Sequence, residues 1–364
     1  MLIDVLVAST FAYGCVILIF ALAAAAAVYN GNSLHRPFVS IIVAARNEER
    51  HIAACVESLL SLTYPRDILE IIIVDDRSTD RTREICERYA SVNPHLNVIS
   101  GISGSGHLQG KPNAVAQGIQ ASTGEVLLFT DADCIVPRGW VEGIASHYAD
   151  PSVGVVAGFT SLRGENWFSR MQALDWFVLF SAAAATTRIG FPTTAVGTNL
   201  SVRREAYNRV GGYEKIPFSV TEDYALFHAV TSMGYRARIP MDRATLVESL
   251  PCATARQLFA QKKRWFTGGR GMDIRSLMVF SIPYVFNVFL ILALFLLPGA
   301  VPWWALTVKV MVDFALTLPA VLRFRRLELL SVFPVFFFYY WAYVLIFPPL
   351  VLPGGKITWK DRSF

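Results

Sequence analysis

Val126-Leu127-Leu128-Phe129-Thr130-Asp131-Ala132-Asp133 is the stretch on which the reading of this chain turns. Its first five residues form an apolar run of strand length, so Asp131 and Asp133 fall at the exposed carboxyl end of a buried strand. Two carboxylates two residues apart at such an end can share one divalent cation. A hard oxygen site with few protein ligands suits Mg²⁺ or Mn²⁺ bridging a diphosphate. A solvated turn carries the same three letters, so the surroundings decide.

Upstream, strand and helix signals alternate over residues 37–160. Residues 38–45 read as a buried strand. Asn47 reads as the cap of the next helix, with Glu48 and Glu49 in its first turn. Residues 69–74 are a second strand ending at Asp75-Asp76, after which Thr79 or Asp80 caps a helix. Residues 97–100 give a short third strand. A glycine-led loop then leads into a helix near Pro112, where Asn113 also suits a cap. Repeated strand–helix units imply an α/β fold: a mostly parallel, Rossmann-like sheet with helices on both faces. Ligands bind such sheets at the carboxyl ends of the strands, where Asp75, Asp76, Asp131 and Asp133 all fall. No Gly-x-Gly-x-x-Gly follows the first strand, and no Gly-Lys-Ser/Thr phosphate loop is present.

The chain has 364 residues, 54% of them hydrophobic, more than a soluble domain carries. The excess lies at the ends. Residues 5–28, 277–300 and 329–352 are uncharged, and residues 301–322 carry only Lys309 and Asp313. Each stretch is long enough to cross a bilayer as a helix. A cleaved signal peptide is the alternative for the first. Lys309 and Asp313 stand four apart on one helical face and can neutralise each other. His35-Arg36 and the arginines at 323, 325 and 326 place residues 36–275 in the cytoplasm and the N-terminus outside. The basic tail (Lys356, Lys360, Arg362) opposes a full last span, and Pro348, Pro349 and Pro353 allow a re-entrant or interfacial segment instead. Five cysteines without paired spacing argue against a disulfide or zinc framework. The formal charge of +5, without aromatic interleaving, argues against nucleic acid as a partner.

Six polar landmarks follow in order: residues 39–48 (Val-Ser-Ile-Ile-Val-Ala-Ala-Arg-Asn-Glu), 74–80 (Val-Asp-Asp-Arg-Ser-Thr-Asp), 110–114 (Gly-Lys-Pro-Asn-Ala), 130–133 (Thr-Asp-Ala-Asp), 221–223 (Thr-Glu-Asp) and 261–265 (Gln-Lys-Lys-Arg-Trp). The series resembles the family 2 inverting glycosyltransferases of the GT-A nucleotide-diphospho-sugar fold, over residues 38–270. Gln-x-x-Arg-Trp is similar to the membrane branch of that family, which includes cellulose and hyaluronan synthases and lipid glucosyltransferases. The resemblance implies roles. Asp75 or Asp76 would accept from the nucleotide's pyrimidine ring, and Lys111 would approach the nucleotide or its phosphates. Asp131 and Asp133 would hold Mg²⁺ or Mn²⁺ against the diphosphate, Asp133 more directly. Asp223 would be the general base, with Glu222 as competing candidate or partner. Gln261, Arg264 and Trp265 would serve the donor or acceptor, on a helix that can also rest on the membrane with Leu258, Phe259 and Trp265 inward. Gly197-Thr198-Asn199 is expected before an arginine-bearing helix (Arg203, Arg204) beside the acceptor. The run at 268–271 reads as a hinge or as a plain linker. The tail at 356–360 is similar to a Trp-Lys-Gly-Arg tail, with Asp361 in place of the glycine.

These readings give three segments: a transmembrane helix in residues 1–35, a cytosolic GT-A domain in 36–275 with an interfacial helix near 254–269, and a membrane region with basic tail in 276–364. The expected protein is an integral membrane enzyme of a bacterial cell membrane, with its catalytic domain cytoplasmic. It would transfer a hexose from a nucleotide-diphospho-sugar, a UDP-sugar by resemblance, to a lipid hydroxyl with inversion. The alternatives are a processive polysaccharide synthase, a transporter with a cytosolic domain, and a non-catalytic scaffold.

Overall fold

The structure, a computed structural model, describes residues 2–29, 31–32, 34–104, 108–269, 274–351, 358–359 and 362–363. Its contacts divide the chain into two compact units that interleave in sequence. One comprises residues 28–163 and 194–250 and holds the sheet. The other comprises residues 1–27, 164–193 and 251–364 and is helical.

In chain order the elements are α1 (Leu2–Ala25), β1 (Val39–Ala45), α2 (Ile52–Leu60), β2 (Leu69–Asp75), α3 (Thr82–Ala90), β3 (Leu96–Ser100), α4 (Lys111–Gln120), β4 (Val126–Asp131), α5 (Trp140–Ala145), β5 (Val153–Ala157) and β6 (Thr160–Leu162). There follow α6 (Trp167–Arg188), β7 (Leu200–Arg203), α7 (Arg204–Arg209), α8 (Gly212–Lys215), α9 (Glu222–Ser232), β8 (Arg236–Arg238), β9 (Val247–Ser249), α10 (Ala255–Gly268), α11 (Ile274–Leu296), α12 (Val301–Phe324) and α13 (Phe333–Val351).

The main sheet runs β3-β2-β1-β4-β7-β5-β8. β1 pairs in parallel with β2 and β4, while β7 is antiparallel to both β4 and β5. The central strands are apolar on both faces, as a sheet covered by helices on both sides requires. Val39, Ile41 and Val43 pack with Ile52, Val56 and Leu59 of α2. On the other face, Ile72 and Val74 meet Ala114 of α4. That helix lies close: a Cβ at Gly118 would stand 2.5 Å from Ile42 Cγ2. In register, Ala45 stands opposite Asp75 and Ala44 opposite Asp131. The ends of β2 and β4 thus flank the end of β1, where the strand order reverses direction.

Two local expectations change. Asn47 does not cap a helix. It sits at φ 53°, a left-handed conformation that asparagine tolerates, and α2 begins only at Ile52. Its side chain instead accepts from the Thr79 amide at 2.8 Å, and the Glu48 amide donates to Thr82 Oγ1 at 2.7 Å, stitching the loops after β1 and β2 together. Residues 197–199 form a short 3-10 turn that precedes strand β7, not a helix. Arg203 donates to the carbonyls of Val153, Tyr148 and Asp150, and Arg204 donates to those of Gly124 and Ile119. Both arginines therefore brace the sheet. Asp80 does act at a helix start, accepting from the Thr82 amide at 3.0 Å.

In the helical unit, residues Leu2–Ala25, Val301–Phe324 and Leu327–Pro349 are long and apolar enough to cross a membrane, and Ser281–Leu296 is a shorter apolar stretch. Lys309 and Asp313 pair at 2.6 Å as their spacing implies, and the Tyr13 hydroxyl donates to the same carboxylate. α10 begins with a capping box in which Thr254 Oγ1 accepts from the Gln257 amide at 3.3 Å and the Gln257 side chain accepts in return from the Thr254 amide. Its Leu258 is buried and Phe259 is exposed. Gly268 ends that helix. Of the run 268–271, Arg270 and Gly271 lie outside the described residues, as do Lys356, Lys360 and Asp361 of the tail.

Candidate active site

The carboxyl ends of β2 and β4 carry the acids predicted there. Asp75 and Asp76 are both buried. The Asp75 carboxylate accepts from the Ser78 amide at 3.3 Å, and Arg46 donates to the Asp76 carbonyl at 2.9 Å. Arg77 lies 3.6 Å from the Asp76 carboxylate. Asp131 ends β4, and Asp133 follows in the turn whose first carbonyl accepts from the Cys134 amide at 3.0 Å.

Lys111 opens α4 and reaches across to these acids. Its ammonium lies 2.6 Å from Asp131 Oδ1 and 3.0 Å from Glu222 Oε1. Burial pushes the lysine toward its neutral form, but the carboxylates of Asp131, Glu222 and Asp223 outweigh burial and hold its pKa above the ordinary lysine value. The residue expected at the phosphates is thus an ion-pair hub between the end of β4 and the start of α9.

Asp223 stands in the first turn of α9. Its Oδ2 accepts from the Gly197 amide at 2.6 Å and its Oδ1 from the Tyr224 amide at 2.8 Å. A Cβ at position 197 would come within 3.2 Å of Asp223 Oδ2, a tight contact that would press on the carboxylate. Asn199 holds that turn in place: it accepts from Trp140 Nε1 at 2.9 Å and donates to the carbonyls of Phe159 and Thr245 at 2.8 and 2.7 Å. Thr130 of β4 donates to the Thr198 carbonyl at 2.9 Å, which ties the turn to the strand bearing Asp131. Burial raises the Asp223 pKa, the adjacent Glu222 carboxylate adds to the rise, and Lys111 and the two amides oppose it. The result is a carboxyl group at about 6. A carboxylate so placed is ionised at neutral pH yet more basic than an ordinary aspartate, which suits proton acceptance.

Among the described residues no three His, Cys, Asp or Glu side chains converge as a metal cage. Asp131 and Asp133 nonetheless fit a hard cation that takes its other ligands from phosphate and water, since Mg²⁺ sites of that kind use one or two carboxylates. Gln261, Arg264 and Trp265 lie on α10 in the helical unit, apart in sequence and in unit from the acids above. The sequence missed the residue between them. Lys262 is buried, ion-paired with the buried Asp175 of α6, and flanked by the Trp265 and Tyr343 rings at 4.8 and 4.9 Å. Asp175, the one charged residue in the otherwise apolar run 173–180, was the available signal.

The geometry can be set beside known proteins. Residues 40–211 match glycosyl transferase family 2, and residues 126–352, more than half of the chain, match glycosyl transferase family group 2. A beta-monoglucosyldiacylglycerol synthase of Synechocystis sp. is 31% identical over 64% of this chain and 48% of its own. The chain therefore spans about half the length of that relative. Glycosyltransferase AglE of Haloferax volcanii is 27% identical over 73% of this chain and 82% of its own. The solved mannosyltransferase PcManGT of Pyrobaculum calidifontis, in complex with GDP-Man and Mn²⁺, shares the fold at a TM-score of 0.61, with 21% identity over 92% of this chain and 98% of its own. With a GT-A sheet, acids at the ends of its parallel strands and a family match over more than half its length, the chain belongs to glycosyl transferase family 2 and is a glycosyltransferase.

Proposed function

We propose that the chain transfers a hexose from a UDP-sugar to the hydroxyl of a lipid, with inversion, from a catalytic domain on the cytosolic side of a membrane. The observation that carries the chemistry is Asp223. It is held by two backbone amides, raised to about 6, and linked through Glu222 and Lys111 to Asp131 of β4. In the displacement the acceptor oxygen attacks the anomeric carbon, the bond to the diphosphate breaks, and the acceptor proton passes to the Asp223 carboxylate. Such a base typically contributes about 10²–10⁴-fold. Glu222 keeps Asp223 basic and holds Lys111. Asp75 or Asp76 receives the nucleobase.

Asp131 and Asp133 would hold Mg²⁺ or Mn²⁺, which when bound neutralises the diphosphate and eases its departure. The Mn²⁺ named with the Pyrobaculum mannosyltransferase is in keeping with this donor set. Gln261, Arg264 and Trp265 of α10 are assigned to the donor phosphates and acceptor. The lipid acceptor is supported by the apolar helices and by the monoglucosyldiacylglycerol in the Synechocystis relative's name. Residues 1–35 and 276–364 form the membrane part in this reading, and residues 36–275 the catalytic domain.

The test is incubation of the detergent-purified chain with each UDP-hexose, Mn²⁺ or Mg²⁺ and a total lipid extract, followed by mass spectrometry. A hexosyl lipid formed from one donor is the expected product. A polymer without a glycolipid would mark a polysaccharide synthase, and absence of both would overturn the reading.

A further inference from the structure

We propose that Arg163 is a ligand of the donor's diphosphate, a role that rests on the donor reading above. Arg163 follows β6, far in sequence from every landmark motif. Backbone pairing and one side-chain hydrogen bond fix its position. Its own amide donates to the Ser249 carbonyl at 2.9 Å, at the end of the parallel β6–β9 pair. Ile135 and Glu248 exchange backbone hydrogen bonds of 2.8 and 2.9 Å, which joins β9 to the segment just after Asp133. Arg163 Nη2 then donates to the Asp133 carbonyl at 3.0 Å. The guanidinium is thereby held against the turn that bears the acid pair.

Its Nε is buried and has no hydrogen-bond partner among the described residues. A buried guanidinium N–H left unpaired is costly, and native structures seldom keep one without a use. The surroundings indicate the use. Asp131, Glu222 and Asp223 place three carboxylates around the ion-paired Lys111, and Asp133 stands two residues beyond Asp131. A diphosphate arriving at the Asp133 turn brings further negative charge into that acidic ground. A planar, always-charged group with a free donor suits a phosphate oxygen better than any neutral neighbour would. Arg163 Nε donates to that oxygen while Nη2 keeps the Asp133 carbonyl, so one side chain sets the distance between the acid pair and the phosphate.

Calorimetric titration of the detergent-purified full chain with UDP and with UMP, in Mn²⁺ and again in EDTA, tests this. Arg163→Gln should weaken UDP about tenfold or more in both buffers, the size expected for one charge-assisted hydrogen bond. UMP affinity should stay nearly constant, and Arg163→Lys should recover part of the loss. Equal losses for UDP and UMP, no loss at all, or a UDP loss that disappears in EDTA would overturn the proposal, since the last would mean that Arg163 acts only by holding Asp133 for the cation. A wild-type chain that binds UMP but gains nothing from the second phosphate would also overturn it. One that binds no uridine nucleotide would remove the donor reading beneath it.

Discussion

At the level of single residues, the proposed chemistry depends on Asp223. Asp223→Asn keeps the shape and loses the proton acceptor, so transfer should fall by about 10²–10⁴-fold while UDP affinity changes little. Rapid-quench transfer assays beside UDP titration measure both, and full transfer in the variant would remove Asp223 as the base. The pH profile follows from the same group. The base must be unprotonated, and its pKa is raised to about 6 by burial and by Glu222. Log kcat/KM should therefore rise with unit slope below about pH 6 and level off above it. An unperturbed aspartate would put that limb two units lower. Asp131, Asp133, Glu222 and Asp223 were all legible in the sequence, because acids at strand ends and helix starts announce themselves by position. The Gly197 amide that aims at Asp223 was not, since a backbone donor has no letter of its own. Asn47 misled for a related reason: asparagine serves helix caps and left-handed turns equally, and only the neighbouring loop with Thr79 decides between them.

At the scale of elements, strands β1 to β4 were readable to within a residue or two because their apolar runs end in turn chemistry. α10 was legible as an amphipathic stretch, but its attachment was not. The buried Lys262–Asp175 pair pins α10 to α6 across more than eighty residues of sequence, a contact that no local pattern encodes. Breaking a buried pair leaves one charge unmatched, at a cost of about 3–5 kcal/mol. Asp175→Leu should accordingly lower the melting temperature of the purified chain sharply, and Asp175→Leu with Lys262→Met should recover most of the loss. Equal melting temperatures for the wild type and Asp175→Leu would show that the pair contributes nothing to holding α10.

At the scale of the molecule, the sequence reads as three consecutive segments, whereas the contacts give two interleaved units. α6 lies between two stretches of the sheet unit in sequence but groups with the terminal helices. Its apolar, aromatic composition suits that company, yet hydropathy alone does not separate a helix packed on other helices from one packed on a sheet. The Tyr13–Asp313–Lys309 cluster shows the same economy, with a charge pair inside an apolar helix matched by a hydroxyl from a helix some three hundred residues away. In the proposed topology, a tag on the N-terminus should be accessible from outside intact cells, and one in the exposed 91–94 turn only after permeabilisation. The reverse pattern would contradict the cytosolic assignment.

The proposed reaction is a single inverting displacement onto a lipid hydroxyl with one carboxylate as base. Proton NMR of the glycolipid made from an α-linked UDP-hexose tests it most directly. A β-linked sugar on a lipid oxygen is expected; an α-linked product would require a different mechanism and would rule out Asp223 as the sole base of a one-step transfer.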